Sequence, residues 1–204
     1  MMELLLIRHG QTKSNREKRY LGRTDESLVP EEKETLKNRR EVWGIKWQGD
    51  ILYTSPMKRC LETAEILFPH QEQRIIADFK EADFGVFEGH TYQELSGNTA
   101  YQRFIDSNGN EGFPEGESIE KFRNRCVKAF RFTIEDAIEQ KARQIIYVLH
   151  GGVIMAILAR YADGQKNFYD YQLNNGEAYL VTLDEKCWSE GRWEFHAVKR
   201  IGES

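Results

Sequence analysis

Cysteine is scarce: Cys60, Cys126 and Cys187 are the only three in 204 residues, and none sits in a C-x-x-C spacing. Three thiols cannot all pair within one chain, so free thiols in a reducing, cytoplasmic compartment are expected. Long apolar runs are also missing. Residues 4–7 form a run bounded by Glu3 and Arg8, too short for the apolar segment of a signal peptide. Residues 145–159 are interrupted by His150 and two glycines and fall short of the ~20 residues a membrane span requires. Positive charge is not in surplus either. Lys and Arg total 29 against 33 Asp and Glu, a net charge of −4, which argues against a nucleic-acid partner. Hydrophobic residues still make up 40%, and a chain of this length buries about 70% of its unfolded surface, so a core is predicted without staples.

Several catalytic motifs are absent as well. There is no G-x-x-x-x-G-K-[ST], no G-x-G-x-x-G opening a helix after a strand, no G-x-S-x-G and no H-E-x-x-H. These absences argue against a P-loop enzyme, a dinucleotide site, an α/β-hydrolase elbow and a zinc protease. No metal site and no cofactor are predicted.

What is present alternates between short apolar runs and helix-spaced stretches, the pattern of a layered α/β domain. Residues 3–7 and 50–54 read as buried strands, 73–78 as a third strand and 144–149 as the most strongly apolar one. Residues 178–183 and 193–198 read as a terminal hairpin. Helices are predicted over 30–43, with a thin apolar face of Leu36, Val42 and Trp43, and after Ser55-Pro56, with serine as cap and proline in the first turn. Two more are predicted over 117–141, with Ile119, Phe122, Cys126, Ala129, Phe130, Thr133 and Ala137 inward, and over 152–161. Residues 88–116 are polar, dotted with glycine and interleaved with aromatics. The expectation is one domain over 1–204, with 88–116 as a lid.

Two histidines occupy equivalent places. His9 follows the first predicted strand and Gly10 comes next; His150 follows the strand 144–149 and Gly151-Gly152 comes next. Ligand sites of open α/β sheets lie beyond the carboxyl ends of strands. Glycine there lets backbone N–H groups approach an anion, as Gly151 would, and a helix N-terminus adds positive potential. Arg8 adjoins His9, and Arg59 falls in the first turn of the helix after the second strand. Guanidinium forks around two imidazoles describe a phosphate pocket. On a helical wheel Arg59 lies off the stripe of Met57, Cys60 and Leu61, so the wheel alone makes it a solvated arginine. His70, His90 and His196 read as surface residues, and Glu81, Asp83 and Glu88 as an acidic patch around Phe84-Gly85.

Four blocks in order resemble the histidine phosphatase superfamily, also called phosphoglycerate mutase-like. They are Leu6-Ile7-Arg8-His9-Gly10-Gln11-Thr12, Tyr53-Thr54-Ser55-Pro56-Met57-Lys58-Arg59, Lys80-Glu81-Ala82-Asp83-Phe84-Gly85-Val86-Phe87-Glu88-Gly89, and Val148-Leu149-His150-Gly151-Gly152. Gln11 stands where the family more often has glutamate, Cys60 where alanine is frequent, and residues 30–43 lack the usual glycine and Gln-Ala. The resemblance implies three layers: a mostly parallel central sheet with helices on both faces. It also implies that His9 is the nucleophile that becomes phosphohistidine. Arg8, Arg59 and His150 would bind the phosphoryl group, Asn15 would be a polar neighbour, and Glu81 rather than Glu88 would be the proton donor.

The implied activity is metal-independent phosphomonoester hydrolysis of a small molecule. Two other readings are a phosphoglycerate mutase and an inactive binding module on the same fold. The stretch from Glu81 to His150 carries no long insert, which favours hydrolysis. Arg19-Tyr20-Leu21-Gly22-Arg23-Thr24-Asp25 resembles a loop of the α-ribazole phosphatases, which act in cobalamin assembly, and makes Tyr20 and Arg23 candidate substrate contacts.

Overall fold

A computed structural model describes residues 1–43, 49–162 and 166–201; the side chains of Val42 and Trp43 lie outside the description. Its strands are β1 (Met2–Arg8), β2 (Ile51–Thr54), β3 (Gln73–Ile75), β4 (Gln144–Leu149), β5 (Ala178–Leu183) and β6 (Ala197–Ile201). Its helices are α1 (Lys13–Arg16), α2 (Pro30–Trp43), α3 (Lys58–Leu67), α4 (Thr99–Asp106), α5 (Ile119–Glu139), α6 (Gly151–Tyr161) and α7 (Glu185–Ser189). The strands form one sheet in the order β3-β2-β4-β1-β5-β6. β3, β2, β4 and β1 run parallel, while β5 and β6 are antiparallel additions at one edge.

Alternation along the central strands sorts side chains between two cores. Leu4 and Leu6 of β1, with Ile145, Tyr147 and Leu149 of β4, pack with α5 and α6. Leu5, Ile7, Ile146 and Val148 pack on the other face with Leu36 of α2 and with Cys60, Ala64 and Leu67 of α3. Cover on both faces explains why these strands are unbroken apolar runs. Each Leu or Ile buried there is worth about 1.5–3 kcal/mol, so a polar residue is admitted only where the strand ends.

Four expectations shift. Only Gln73–Ile75 of the third strand pairs with β2; the Ile76 N–H donates to the Thr54 carbonyl, and residues Ala77–Phe79 then turn into a 3₁₀ helix that buries Phe79. Ser55 does not cap α3. That helix begins at Lys58 with Met57 as N-cap, and Ser55 is buried against His150 instead. The buried face of α3 includes Arg59 and Thr63, so the wheel misplaces Arg59. The last hairpin is split: Asp184 accepts hydrogen bonds from the Lys186 and Cys187 N–H groups, which starts α7 and moves the final strand to Ala197–Ile201.

This topology sets the site. Ile7 pairs with Val148 and Arg8 with Leu149, so the next residues, His9 and His150, emerge side by side. α2, the first long helix after β1, packs on one face of the sheet and α6, after β4, on the other, which opens a crevice between the two strand ends.

Candidate active site

The two imidazoles meet edge to face, with centroids 5.2 Å apart and an interplanar angle of 68°. His9 is 4% exposed and His150 is fully buried. His9 Nδ1 lies 2.7 Å from the Gly10 carbonyl oxygen, which can only accept, so Nδ1 carries the proton and Nε2 keeps its lone pair. Burial, then Arg59 and Arg8, hold the His9 pKa well below the usual histidine range, so the ring is neutral. His150 is depressed in the same way, by burial first and then by Arg59. Its Nδ1 accepts from Arg59 Nε at 3.2 Å, which leaves Nε2 to donate to Ser55 Oγ at 2.7 Å.

Arg59 also fixes a loop. Its two terminal nitrogens donate to the carbonyls of Gly22 and Thr24, each at 2.8 Å. Glu88 grips the same loop from the other side, accepting from the Gly22 and Thr24 N–H groups at 2.9 Å. Only glycine passes at residue 22, since a Cβ would lie 2.0 Å from the Ala82 carbonyl oxygen. Arg8 donates to the Leu173 carbonyl, and its Nε is buried without a partner. An unpaired guanidinium N–H beside a neutral imidazole suits an oxyanion.

Glu81, 7% exposed, accepts the Ala82 N–H through Oε1 and the Gly152 N–H at the start of α6 through Oε2, both at 2.9 Å. Arg8, His9, Asn15, Glu81, Gly151 and Tyr20 all line one cavity of about 870 Å³. Arg59 and His150 stand directly behind His9, outside the lining. Glu88 is a loop clamp away from the wall, and Arg23 lies 3.7 Å from Glu117, also off the wall. Asn15 Oδ1 accepts from Asn175 Nδ2 at 3.1 Å, and the same Nδ2 donates to the His9 carbonyl at 3.1 Å. The rest of the wall mixes apolar side chains, among them Phe84, Phe104, Ile105, Phe113, Phe122 and Tyr169, with the amides of Asn108, Gln172, Asn174 and Asn175 and with Lys18 and Arg19.

Sequence reasoning reads Ser55 only as a helix cap and passes over Thr63, Asn174, Asn175 and Glu177. Thr63 Oγ1 accepts the Gly10 N–H at 3.0 Å, and Glu177 accepts from Asn174. Asn174-Asn175-Gly176 is a recognisable turn before a strand. Its place beneath His9 follows only from the antiparallel pairing of β5 with β1.

A family model described as histidine phosphatase superfamily (branch 1) matches residues 4–196. The chain belongs to the histidine phosphatase superfamily. A relative in this superfamily, named uncharacterized phosphatase PhoE, of Bacillus subtilis, is 28% identical over 191 residues, covering 92% of each chain. A phosphoserine phosphatase of Entamoeba histolytica, solved with 3-phosphoglyceric acid, is 26% identical with a TM-score of 0.75, over 97% of this chain and 96% of that one. The α-ribazole phosphatase of Shigella flexneri shares the fold at a TM-score of 0.78 and 23% identity, over 91% and 92%. The sheet and both helical layers of this chain are those of the histidine phosphatases, and its relatives are phosphatases and mutases. Among the described residues no group of three or more His, Cys, Asp or Glu is placed to hold a metal, and no helix is long and apolar enough to cross a membrane.

Proposed function

We propose that this chain is a metal-independent phosphomonoesterase that works through a phosphohistidine on His9. The observation that carries the reading is the 2.7 Å approach of His9 Nδ1 to the Gly10 carbonyl oxygen, an acceptor that calls for the proton on Nδ1 and leaves the Nε2 lone pair free, while burial holds the ring's pKa low. Nε2 attacks phosphorus and forms the N–P bond as the ester P–O bond breaks. Glu81 gives its proton to the departing oxygen. Water then attacks the phosphohistidine, Glu81 takes its proton, and inorganic phosphate leaves with His9 restored. Arg8 binds the phosphoryl group beside His9; Arg59, whose donors go to Gly22, Thr24 and His150, supplies positive charge from behind it, and neutral His150 holds Arg59 and Ser55 in place, so catalysis is mainly positioning plus electrostatics. Asn15 holds the loop that borders the transfer point.

α-Ribazole 5′-phosphate or another small phosphorylated metabolite is the substrate in this reading, supported by the loop at residues 19–25 and by the aromatic wall. Residues 88–116 supply Tyr92, Phe104, Ile105 and Phe113 to that wall and would serve as its lid. A reducing, cytoplasmic location is part of the same proposal, on the strength of three thiols that are free among the described residues.

The test is an early acid-free quench with labelled substrate. Acid-labile, base-stable label on the wild type and none on His9→Ala supports the mechanism; turnover by a folded His9→Ala protein overturns it. Exhaustive EDTA treatment is expected to leave activity intact, and a loss restored by Mg²⁺ or Zn²⁺ would transfer the chemistry to a metal. A mutase would return phosphate to its substrate, so stoichiometric release of inorganic phosphate separates that reading from this one.

A further inference from the structure

We infer that the alcohol half of the substrate is uncharged and carries a flat or apolar group, an inference that rests on the phosphatase reading above. Seven large apolar side chains are exposed among the described residues, and three of them, Tyr92 (52%), Ile105 (46%) and Tyr169 (50%), line the His9 cavity. Exposed apolar side chains gathered in one concavity mark a binding surface. Behind them the rings are set by each other: Phe84 meets Phe113 edge-on at 4.8 Å, and Phe104 lies 5.0 Å from Phe113. A flat ligand ring would extend this packing.

Charge on the same wall points the same way. Its cations among the described residues are Arg8, Lys18 and Arg19. Arg8 belongs to the phosphoryl end, and Arg19 is paired at 2.7 Å with both Glu17 and Glu94. Lys18 is exposed, where an ion pair is worth little. A carboxylate or second phosphate on the alcohol would therefore exchange its water for rings and the neutral amides of Asn108, Gln172, Asn174 and Asn175, with no buried cation beyond Arg8 to meet its charge. Phosphoserine and 3-phosphoglycerate, the compounds named with the Entamoeba relative, are poor substrates on this argument.

The experiment compares kcat/KM for 2-(1-naphthyl)ethyl phosphate, phosphoserine and 3-phosphoglycerate, all alkyl esters, so that leaving-group ability does not decide the order. The naphthyl ester is expected to lead by about tenfold or more, the scale of an apolar pocket's preference. Ile105→Lys, at a half-exposed site outside the catalytic set, should shrink or reverse that ratio. Equal or better use of the charged esters by the wild type overturns the inference and leaves the phosphatase reading standing. An unchanged ratio in Ile105→Lys also overturns it. If no ester is hydrolysed, the phosphatase reading fails and this inference falls with it.

A separate observation assigns a positioning residue. Arg125 has five N–H donors, and each meets an oxygen. Nε and one terminal nitrogen fork onto Glu117 at 2.7 and 2.8 Å, and the remaining donors reach the carbonyls of Asp78 (2.6 Å), Lys80 (2.7 Å) and Glu81 (3.0 Å). The Glu117 N–H adds a bond to the Asp83 carbonyl at 2.9 Å. We propose that the Arg125–Glu117 pair sets the position of the Glu81 carboxyl through the backbone of residues 78–83. Lysine has three donors on one point and cannot reproduce this fork.

Arg125→Lys should lose about tenfold or more in kcat on an alkyl phosphate, much less on p-nitrophenyl phosphate, with KM little changed on either. A purely structural role would lower both substrates in equal proportion, and that result overturns the assignment. Should Arg125→Lys fail to fold, Glu117→Gln, which keeps the bonds to the backbone, is measured in its place. Glu81→Gln is run alongside: leaving-group dependence there but not in the Arg125 variant removes only this assignment, whereas its absence in both removes the role of Glu81 as well.

Discussion

The floor of the cavity, at the ends of β1 and β4, is held by hydrogen bonds with defined partners: Gly10 on His9, Arg59 and Ser55 on His150, Ala82 and Gly152 on Glu81. The wall from Phe84 to Phe122 is held mainly by rings, with Phe87 meeting Tyr101, Phe104 and Phe113 at 5.3 to 6.1 Å. Hydrogen bonds to backbone fix an atom's place and direction, which proton and phosphoryl transfer require. Ring packing fixes volume and tolerates exchange of one apolar side chain for another. Chemistry and selectivity are therefore separable here, the first sensitive to single atoms and the second adjustable.

The largest effect expected is at the floor. His9→Ala removes the nucleophile and should cost roughly 10⁴-fold or more in kcat, with the melting temperature little changed. Survival of most of the turnover in the folded variant would erase the contrast between the two regions. Next comes Glu81→Gln, which keeps shape and removes the transferable proton. Its loss should be about 10²–10⁴-fold on an alkyl phosphate and far smaller on p-nitrophenyl phosphate. Glu88→Gln, altering only the loop clamp, should show no such dependence; dependence that follows Glu88 would exchange the two roles.

Gly152→Ala probes how tight the floor is. The added Cβ would come within 2.4 Å of Glu81 Oε1, so the carboxyl must move, and about 10²-fold in kcat is expected to go. Parallel titration of a ring substitution such as Phe113→Leu should change preference among substrates far more than kcat on the best one. A matching loss of kcat in Phe113→Leu would show that the wall is part of the chemistry.

The smallest effect is on stability. Both histidines have folded pKa values below their unfolded ones, so the unfolded chain takes up protons first as pH falls. Stability should be unaffected above about pH 6.5 and should decline below it by up to about 1.4 kcal/mol per pH unit for each ring. Denaturant midpoints at pH 7.5 and 5.5 measure this, and His9→Gln should reduce the slope. An unchanged midpoint in the wild type would mean that neither ring is held neutral.

Much of the floor is legible in sequence. Apolar runs ending in Arg8-His9-Gly10 and His150-Gly151-Gly152 announce two strands with polar groups at their carboxyl ends, because a strand buried on both faces must be apolar until it leaves the sheet. Local spacing also gives the inward face of α5, of which only Ile119 is displaced, half-buried on the cavity wall. Arg59 is misread by local reasoning. Its angle on the helical wheel sets it off the stripe, yet it is fully buried because two carbonyls and an imidazole receive its donors. Ser55 looks like a helix cap for the same local reason, while its partner is 95 residues away.

The sequence by itself determined the layered α/β class and the two strand-end histidines, since burial period and strand-end chemistry are local properties; the block around Glu81 reads locally as an acidic patch and stands out only through its resemblance to the family. Only the tertiary structure decided that β4 lies between β1 and β2, that Asn174 and Asn175 sit beneath His9, and that Arg125 holds residues 78–83. Those contacts join segments far apart in the chain, and their partners are chosen by the pairing of strands and the packing of helices across the sheet. No local periodicity encodes that choice.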